Sequence, residues 1–103
     1  MTDNEFLAHF DGVVERIEAT LEDGDLDVEP VRSGNVLSLE FDDGAKIIIN
    51  SQLALHEIWL AARSGGFHFR LIDGLWRDSR DGSEFYEALS KWVTHEAGKP
   101  VTF

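Results

Sequence analysis

Carboxylate side chains crowd the first 29 residues of this chain. Half of the twenty Asp and Glu residues lie there beside a single base, Arg16, whereas the other 74 residues carry ten acids and eight bases. The formal net charge of −11 is therefore largely a local property, and solubility alone requires no such clustering. Clustered oxygens suit hard cations such as iron, Mn²⁺, Ca²⁺ and Mg²⁺, and they attract basic protein surfaces. The ten residues are Asp3, Glu5, Asp11, Glu15, Glu18, Glu22, Asp23, Asp25, Asp27 and Glu29.

The spacing of these acids indicates a column along a helix. Asp11, Glu15, Glu18 and Glu22 follow one another by four, three and four residues, which places them on one stripe that runs into Asp23, Asp25 and Asp27. Like charges four residues apart each cost a few tenths of a kcal/mol, so the column lowers stability unless something neutralises it. An exposed helix offers an ion only one or two oxygens, which predicts weak metal binding. A solvated acidic face without a ligand is the alternative that the pattern leaves open.

More specific metal sites are excluded. The segment from Asp23 to Asp27 begins like an EF-hand loop, but Val28 stands where the sharp-turn glycine belongs and Gly34 where the bidentate glutamate belongs. The chain has no cysteine, so it has no disulfide, thiolate zinc site, thiol nucleophile or cysteine-held iron–sulfur cluster.

Signals for catalysis are weak. The four histidines (His9, His56, His68 and His95) are scattered and form no HExxH pattern, and the Gly65-Gly66 pair joins two strands instead of preceding a helix. We therefore predict a protein that is not an enzyme. The acidic balance argues against nucleic acid or an anionic membrane as a partner and favours a cationic one.

The N-terminal residues bear on localisation. Met1 to Glu5 are polar and acidic, unlike a signal or transit peptide, and no apolar run approaches the roughly 18 residues of a membrane span. We expect a cytoplasmic protein.

Apolar periodicity predicts the elements that position these acids. Thr2 and Glu5 have capping-box spacing before an amphipathic helix over about residues 3–22, whose apolar stripe is Phe6, Phe10, Val13, Val14, Ile17 and Leu21. The period then changes to two, and Pro30 indicates that the first strand lies at an edge. A second helix is predicted from an N-cap at Ser83 to a stop at Gly98. The predicted strands cover about residues 26–31, 36–41, 46–50, 58–61, 67–71 and 75–77.

This order predicts an α+β fold. Two amphipathic helices cover only one face of five or six antiparallel strands, so we expect a two-layer α/β sandwich formed by a single domain, residues 1–103.

The other face of the sheet is then open to solvent. Alternation points Ile48, Asn50, Trp59 and His68 outward, with Gln52 in the adjoining loop, although the all-apolar run Ile47–Ile49 leaves its own phase ambiguous. A tryptophan on a solvated sheet is typical of an interface anchor. The alternative is that the C-terminal residues 101–103 fold back and cover it.

Three stretches carry a family resemblance. Gly44–Gln52 (GAKIIINSQ), Leu55–Ala61 (LHEIWLA) and Gly65–Phe69 (GGFHF) together resemble the frataxin family, in its bacterial CyaY-type branch. The similarity extends over nearly the whole chain. Ala54 stands where family members commonly have proline and Glu57 where glutamine is usual, which affects the loop after Asn50 and one rim contact.

The resemblance implies a role in iron–sulfur cluster assembly. It implies the α/β sandwich, weak binding of Fe²⁺ or Fe³⁺, and binding to the cysteine desulfurase and the scaffold protein, as a non-enzymatic iron donor or sensor. A monomer with iron-driven oligomers is expected. An acidic protein-interaction module, for instance a nucleic-acid mimic, and a metal-binding protein with ferroxidase activity remain alternatives. The implied iron ligands are Glu18, Glu22, Asp23 and Asp25, with Asp3, Glu15 and Asp27 nearby, and the implied partner contacts are Asn50, Gln52, Trp59 and His68.

Overall fold

The computed structural model describes all 103 residues as two helices and six strands. A single 3₁₀ turn, Leu53–Leu55, joins the third strand to the fourth. Neither helix is long and apolar enough to cross a membrane. The elements are α1 (Asp3–Asp23), β1 (Val28–Ser33), β2 (Val36–Phe41), β3 (Lys46–Gln52), β4 (Glu57–Ala62), β5 (Gly65–Ile72), β6 (Leu75–Asp78) and α2 (Phe85–Ala97).

The six strands form one antiparallel sheet in which every strand pairs with its neighbour in the chain, in the order β1 to β6. The two-residue turn between β5 and β6 has positive φ at both Asp73 (51°) and Gly74 (81°), which matches the right-handed twist of a tight hairpin. Strand β1 is an edge strand, so the missing N–H of Pro30 leaves no gap in the sheet. The predicted sandwich and the predicted edge position of Pro30 are confirmed.

Helix α1 begins as the sequence predicts. The side chain of Thr2 accepts a hydrogen bond from the backbone N–H of Glu5 (3.1 Å), and the carboxylate of Glu5 accepts one from the N–H of Thr2 (2.8 Å). All six residues of the predicted apolar stripe are buried against the sheet. The helix is therefore held on the sheet by its apolar face, and its polar face is exposed to solvent.

The core lies between the helices and the inner face of the sheet. It consists of 22 buried residues, including Ile47 and Ile49, which resolves the ambiguous phase of β3. Ile48 lies on the opposite face and is half-buried. Strand β4 alternates in the same way, with Ile58 and Leu60 buried on either side of Trp59.

Several predicted boundaries are wrong. Gly65 and Gly66 do not join two strands but begin β5, where they pair with β4. Ser83 does not cap α2: the carboxylate of Glu84 accepts from the N–H groups of Tyr86 (2.8 Å) and Glu87 (3.1 Å) and caps the helix one residue later. Strand β1 begins at Val28 and not near residue 26, because the chain still bends after α1. Gln52 lies in β3 and not in the following loop, since it pairs with Glu57.

The C-terminal residues pack on the helical side. The backbone N–H of Phe103 donates to the hydroxyl of Ser90 (2.9 Å), and Arg16 donates to the Phe103 carbonyl (3.0 Å) while its guanidinium lies 3.7 Å from the centre of the Tyr86 ring. Val101 and Phe103 belong to the core. The alternative in which this segment covers Trp59 is therefore wrong.

Candidate functional site

A ridge of carboxylates follows the second half of α1 and the bend into β1. We call this surface the acidic ridge, and its members are Glu15, Glu18, Glu22, Asp23, Asp25 and Asp27. Glu18 is half-buried and the other five are exposed. The last turn of α1 carries no base, and the C-terminal end of a helix is the negative end of its dipole. The backbone therefore adds to the negative potential of the side chains instead of offsetting it.

The protein does not neutralise the acidic ridge. None of its six side chains forms an ion pair, whereas Asp11, earlier on the same stripe, pairs with Arg32 on β1 at 2.6 Å. Helix–sheet packing brings that arginine beside only the middle of α1. The free carboxylates are thus available to an external cation.

The ridge carboxylates line open grooves and enclose no cage. Glu18, Glu22 and Asp25 line one groove of about 360 Å³, whereas Asp23 and Asp27 each face a separate one. No group of three or more His, Asp or Glu side chains is arranged to hold one metal ion. Asp25 adopts a left-handed conformation (φ 48°), which Asp tolerates better than most residues and which turns the chain out of the helix. This geometry suits weak binding of hard cations by one or two oxygens each.

Asp3 lies apart from the ridge. Fifteen residues separate it from Glu18, which corresponds to roughly 22 Å along a helix. Its carboxylate contacts Nε2 of His56 at 2.8 Å, and that imidazole stacks on Phe6 with ring centres 5.1 Å apart. Asp3 is thus placed to tie the β3–β4 connection to the start of α1.

The outer face of the sheet, which we call the open sheet face, carries a row of amide and aromatic side chains. Asn50, Trp59 and His68 are adjacent across β3, β4 and β5, and the indole and imidazole rings stack at 4.2 Å with an angle of 8°. Gln52 lies one row away, paired with Glu57. The structure brings together all four residues expected to bind a partner. Side chains on this face include Val36, Ser38, Glu40, Lys46, Ile48, Asn50, Gln52, Glu57, Trp59, His68, Arg70 and Arg77.

A buried carboxylate, noted in the sequence only as a departure from the family pattern, organises this face. Only 4% of Glu57 is exposed, yet its two oxygens accept hydrogen bonds from Arg70 Nε (2.7 Å) and Trp59 Nε1 (3.0 Å). Its Oε1 also lies 3.9 Å from His68 Nδ1. Burial raises the pKa of Glu57, but these hydrogen bonds and the charge of Arg70 outweigh it and hold the pKa below its ordinary value. The sequence signal for this cluster was that Glu57 and Trp59 alternate on one predicted strand, as His68 and Arg70 do on the next, so that all four share one face of the sheet.

Other shifted groups have structural causes. The pKa of Glu5 is lowered by its hydrogen bonds to Thr2, that of Asp81 is lowered by its hydrogen bonds with Ser83, and that of Tyr86 is raised by burial. The largest cavity, about 560 Å³, is an open groove between α1 and the β5–β6 hairpin, lined in part by Gly12 and Trp76. None of these groups forms a nucleophile–base pair of the kind that covalent catalysis uses.

Fold and site together define a class of small α/β sandwich proteins that carry a carboxylate ridge on one surface and an aromatic sheet face on another. Known proteins of this shape identify the family. A family model described as a frataxin-like domain matches residues 1–99. The chain belongs to the frataxin family, as its three sequence stretches indicated.

Bacterial relatives align over almost their full length. The protein named "Iron-sulfur cluster assembly protein CyaY" of Paraburkholderia phymatum is 55% identical over 101 residues, covering 98% of this chain and 96% of the relative. The protein of the same name in Paraburkholderia xenovorans is 52% identical over 103 residues, covering 100% and 98%.

Solved structures agree with the fold. Frataxin from Psychromonas ingrahamii has a TM-score of 0.94 and 36% identity, covering 99% of this chain and 97% of that one. A trimeric frataxin from the yeast Saccharomyces cerevisiae, complexed with ferrous iron, has a TM-score of 0.74 and 28% identity, covering 92% and 87%.

Proposed function

We propose that this protein serves iron–sulfur cluster assembly as an iron-binding regulator whose acidic ridge recruits iron and docks on the cysteine desulfurase. The observation that carries the proposal is that the six ridge carboxylates remain without an ion pair at the negative end of α1. Such an arrangement lowers stability, and an external cation relieves it. The names of the bacterial relatives support the assembly role, and with it a cytoplasmic site of action.

Iron is the cargo of this surface. Carboxylate oxygens are hard ligands that suit ferric and ferrous iron, and grooves open to water release an ion as readily as they collect it. The yeast frataxin complexed with ferrous iron supports iron as the metal. That relative is trimeric, so we propose a monomer that associates further when iron bridges ridges of different copies.

The same carboxylates dock on a basic patch of the desulfurase. Because iron and the patch compete for one set of oxygens, iron loading weakens docking, and by reciprocity docking weakens iron binding. The protein thereby senses iron as well as carrying it. The open sheet face, through Asn50, Gln52, Trp59 and His68, takes the scaffold protein, so the two partners bind different sides of the molecule.

A matched pair of double variants tests the role of the ridge. Glu18→Gln/Glu22→Gln removes two ridge charges, and Asp73→Asn/Glu87→Gln removes two exposed charges outside the ridge. Amide NMR titrations with Fe²⁺, and then with the desulfurase, should show weakened binding for the ridge variant only, with wild-type shifts confined to the end of α1 and the bend after it. Equal affinities for both variants would overturn the proposal.

A further inference from the structure

One row of the open sheet face carries more basic than acidic side chains. Across β3, β4, β5 and β6 the paired residues are, in order, Gln52, Glu57, Arg70 and Arg77. Two arginines and one glutamate thus stand in one row of a protein whose formal net charge is −11. This row is adjacent to the row that contains the Trp59–His68 stack.

The negative charge of this row is not presented to solvent. The side chain of Glu57 is 6% exposed and both of its oxygens accept hydrogen bonds from the protein itself. Arg70, in contrast, is 57% exposed and uses only its Nε in that contact. Its two terminal nitrogens make no hydrogen bond within the protein. The pair therefore offers a partner the donor groups of the arginine and hides the acceptor groups of the glutamate.

The buried contact also fixes the arginine in place. A hydrogen bond of 2.7 Å from Nε to an ionised acceptor limits rotation of the planar guanidinium, so less side-chain entropy is lost when a ligand binds its outer edge. The same carboxylate holds the indole of Trp59 through its N–H. The buried carboxylate of Glu57 thus fixes the indole of Trp59 and the guanidinium fork of Arg70 side by side.

We propose that Arg70 is a partner-contact residue of the open sheet face, that it binds a carboxylate of the partner protein beside an apolar side chain seated on the Trp59–His68 stack, and that Glu57 is the positioning residue for both. Guanidinium pairs bidentately with carboxylate, and an arginine beside an exposed aromatic ring is typical of binding hot spots. The inference rests on the proposed function, under which this partner is the scaffold protein. The two surfaces then select partners of opposite charge: a basic one at the ridge and an acidic one at the sheet.

Four variants separate recognition from stability. Arg70→Gln removes the fork but strands a buried carboxylate, whereas Glu57→Gln/Arg70→Gln removes both charges and leaves no unpaired ion. Arg63→Gln is the control, since Arg63 is 62% exposed, pairs with Asp43 and Glu96, and gives the same change in net charge. Titration calorimetry of each folded variant with the scaffold protein should show affinity reduced about tenfold or more for both Arg70 variants and unchanged for Arg63→Gln.

The positioning role of Glu57 has its own readout. Glu57→Gln alone should weaken scaffold binding by about threefold or more, because the glutamine loses the ionised contact with Arg70 but keeps an amide oxygen that accepts from the indole N–H of Trp59. It should therefore have no further effect once residue 70 is glutamine. A merely structural glutamate gives the same loss in both backgrounds. Arg70→Glu should also be rescued when one carboxylate of the scaffold is replaced by lysine, and failure of every such replacement contradicts a carboxylate partner.

The outcomes distinguish the two proposals. Wild-type protein that binds neither the scaffold nor the desulfurase overturns the proposed function and this inference together. Wild-type protein that binds the scaffold with the same affinity as Glu57→Gln/Arg70→Gln overturns the inference alone. Loss of scaffold binding in the Arg70 variants, with desulfurase binding retained, supports both.

Discussion

At the scale of single residues, Trp59 shows what the sequence predicted and what only the structure reveals. It is half-buried, stacked on His68 and hydrogen-bonded to Glu57, so it is more integrated than an isolated surface tryptophan. Its alternation with Ile58 and Leu60 was readable from the sequence. Its hydrogen-bond partner was not, because a glutamate two residues away on the same face becomes buried only when Arg70 closes over it.

Replacing Trp59 should therefore affect binding more than folding. Trp59→Ala is expected to lower the free energy of unfolding by about 1 kcal/mol, from one lost hydrogen bond and one ring stack, but to lower the binding free energy for the scaffold by about 2 kcal/mol or more. Chemical unfolding and calorimetry measure the two quantities. Trp92→Ala is the matched control, since Trp92 stacks on Phe67 on the helical side and should affect stability only. Affinity that merely follows stability in both variants contradicts an interface role for Trp59.

The Glu57 carboxylate should give stability a recognisable pH dependence. In the unfolded chain it titrates near 4.5, and in the folded protein its pKa is lower. Between these two pKa values the unfolded state binds more protons than the folded state. The stabilisation that Glu57 provides is therefore complete above pH 4.5 and is lost as the pH falls through the folded pKa. The melting temperature of Glu57→Gln should therefore fall less than that of wild type as the pH is lowered from about 5.5 to about 3.5. A variant at the exposed Glu87 should follow wild type, and a Glu57→Gln curve parallel to wild type excludes this coupling.

At the scale of elements, α1 combines a stabilised start with a destabilised end. Asp3 and Glu5 face the positive end of the helix dipole, whereas Glu22 and Asp23 stand at the negative end with no base nearby. Selection for stability alone places bases in that last turn. The charge distribution at the end of α1 therefore lowers the stability of the helix.

Removing charge from the end of α1 should stabilise the protein. Glu22→Gln/Asp23→Asn is expected to raise the melting temperature by about 2–5 °C, because both dipole and neighbour repulsion are relieved. Asp3→Asn at the other end should lower it, since that charge favours the helix and contacts His56. Circular dichroism melts at low salt measure both changes. A ridge variant that is no more stable than wild type would mean that the ridge carboxylates do not destabilise the folded protein.

The elements themselves were largely predictable, and the exceptions have local causes. The apolar stripe of α1 and the alternation of β4 and β5 each bury one face, so the periodicity alone identifies them. The start of α2 was misplaced because serine is the more common N-cap, whereas in the structure the carboxylate of Glu84 accepts from the N–H groups of Tyr86 and Glu87. All members of the acidic ridge were predicted from the sequence. Asp3 was expected near them but lies apart, at a distance that follows from the length of the helix. Pairing of Asp11 with Arg32 required the three-dimensional register of α1 on β1.

At the scale of the whole molecule, the net charge of −11 acts on folding and on docking in opposite directions. Raising the ionic strength from about 0.01 M to about 0.15 M shortens the Debye length from about 30 Å to about 8 Å. The melting temperature should rise, because repulsion within the ridge is screened, while affinity for the desulfurase falls. Scaffold affinity should change less, since one Arg70–carboxylate pair is screened but the apolar contact on the Trp59–His68 stack is insensitive to salt. Parallel loss of both affinities contradicts two surfaces of different character.

The meander of the sheet has a consequence for how the protein matures. Each strand pairs only with its chain neighbour, so the sheet can grow by successive hairpins, whereas α1 leaves the ribosome first with nothing to cover its apolar stripe. An isolated helix with repelling carboxylates is not stable in water. The acidic ridge therefore becomes an ordered array only after later strands have emerged to cover the apolar stripe of α1, and under the proposed function a nascent chain binds iron more weakly than the folded protein.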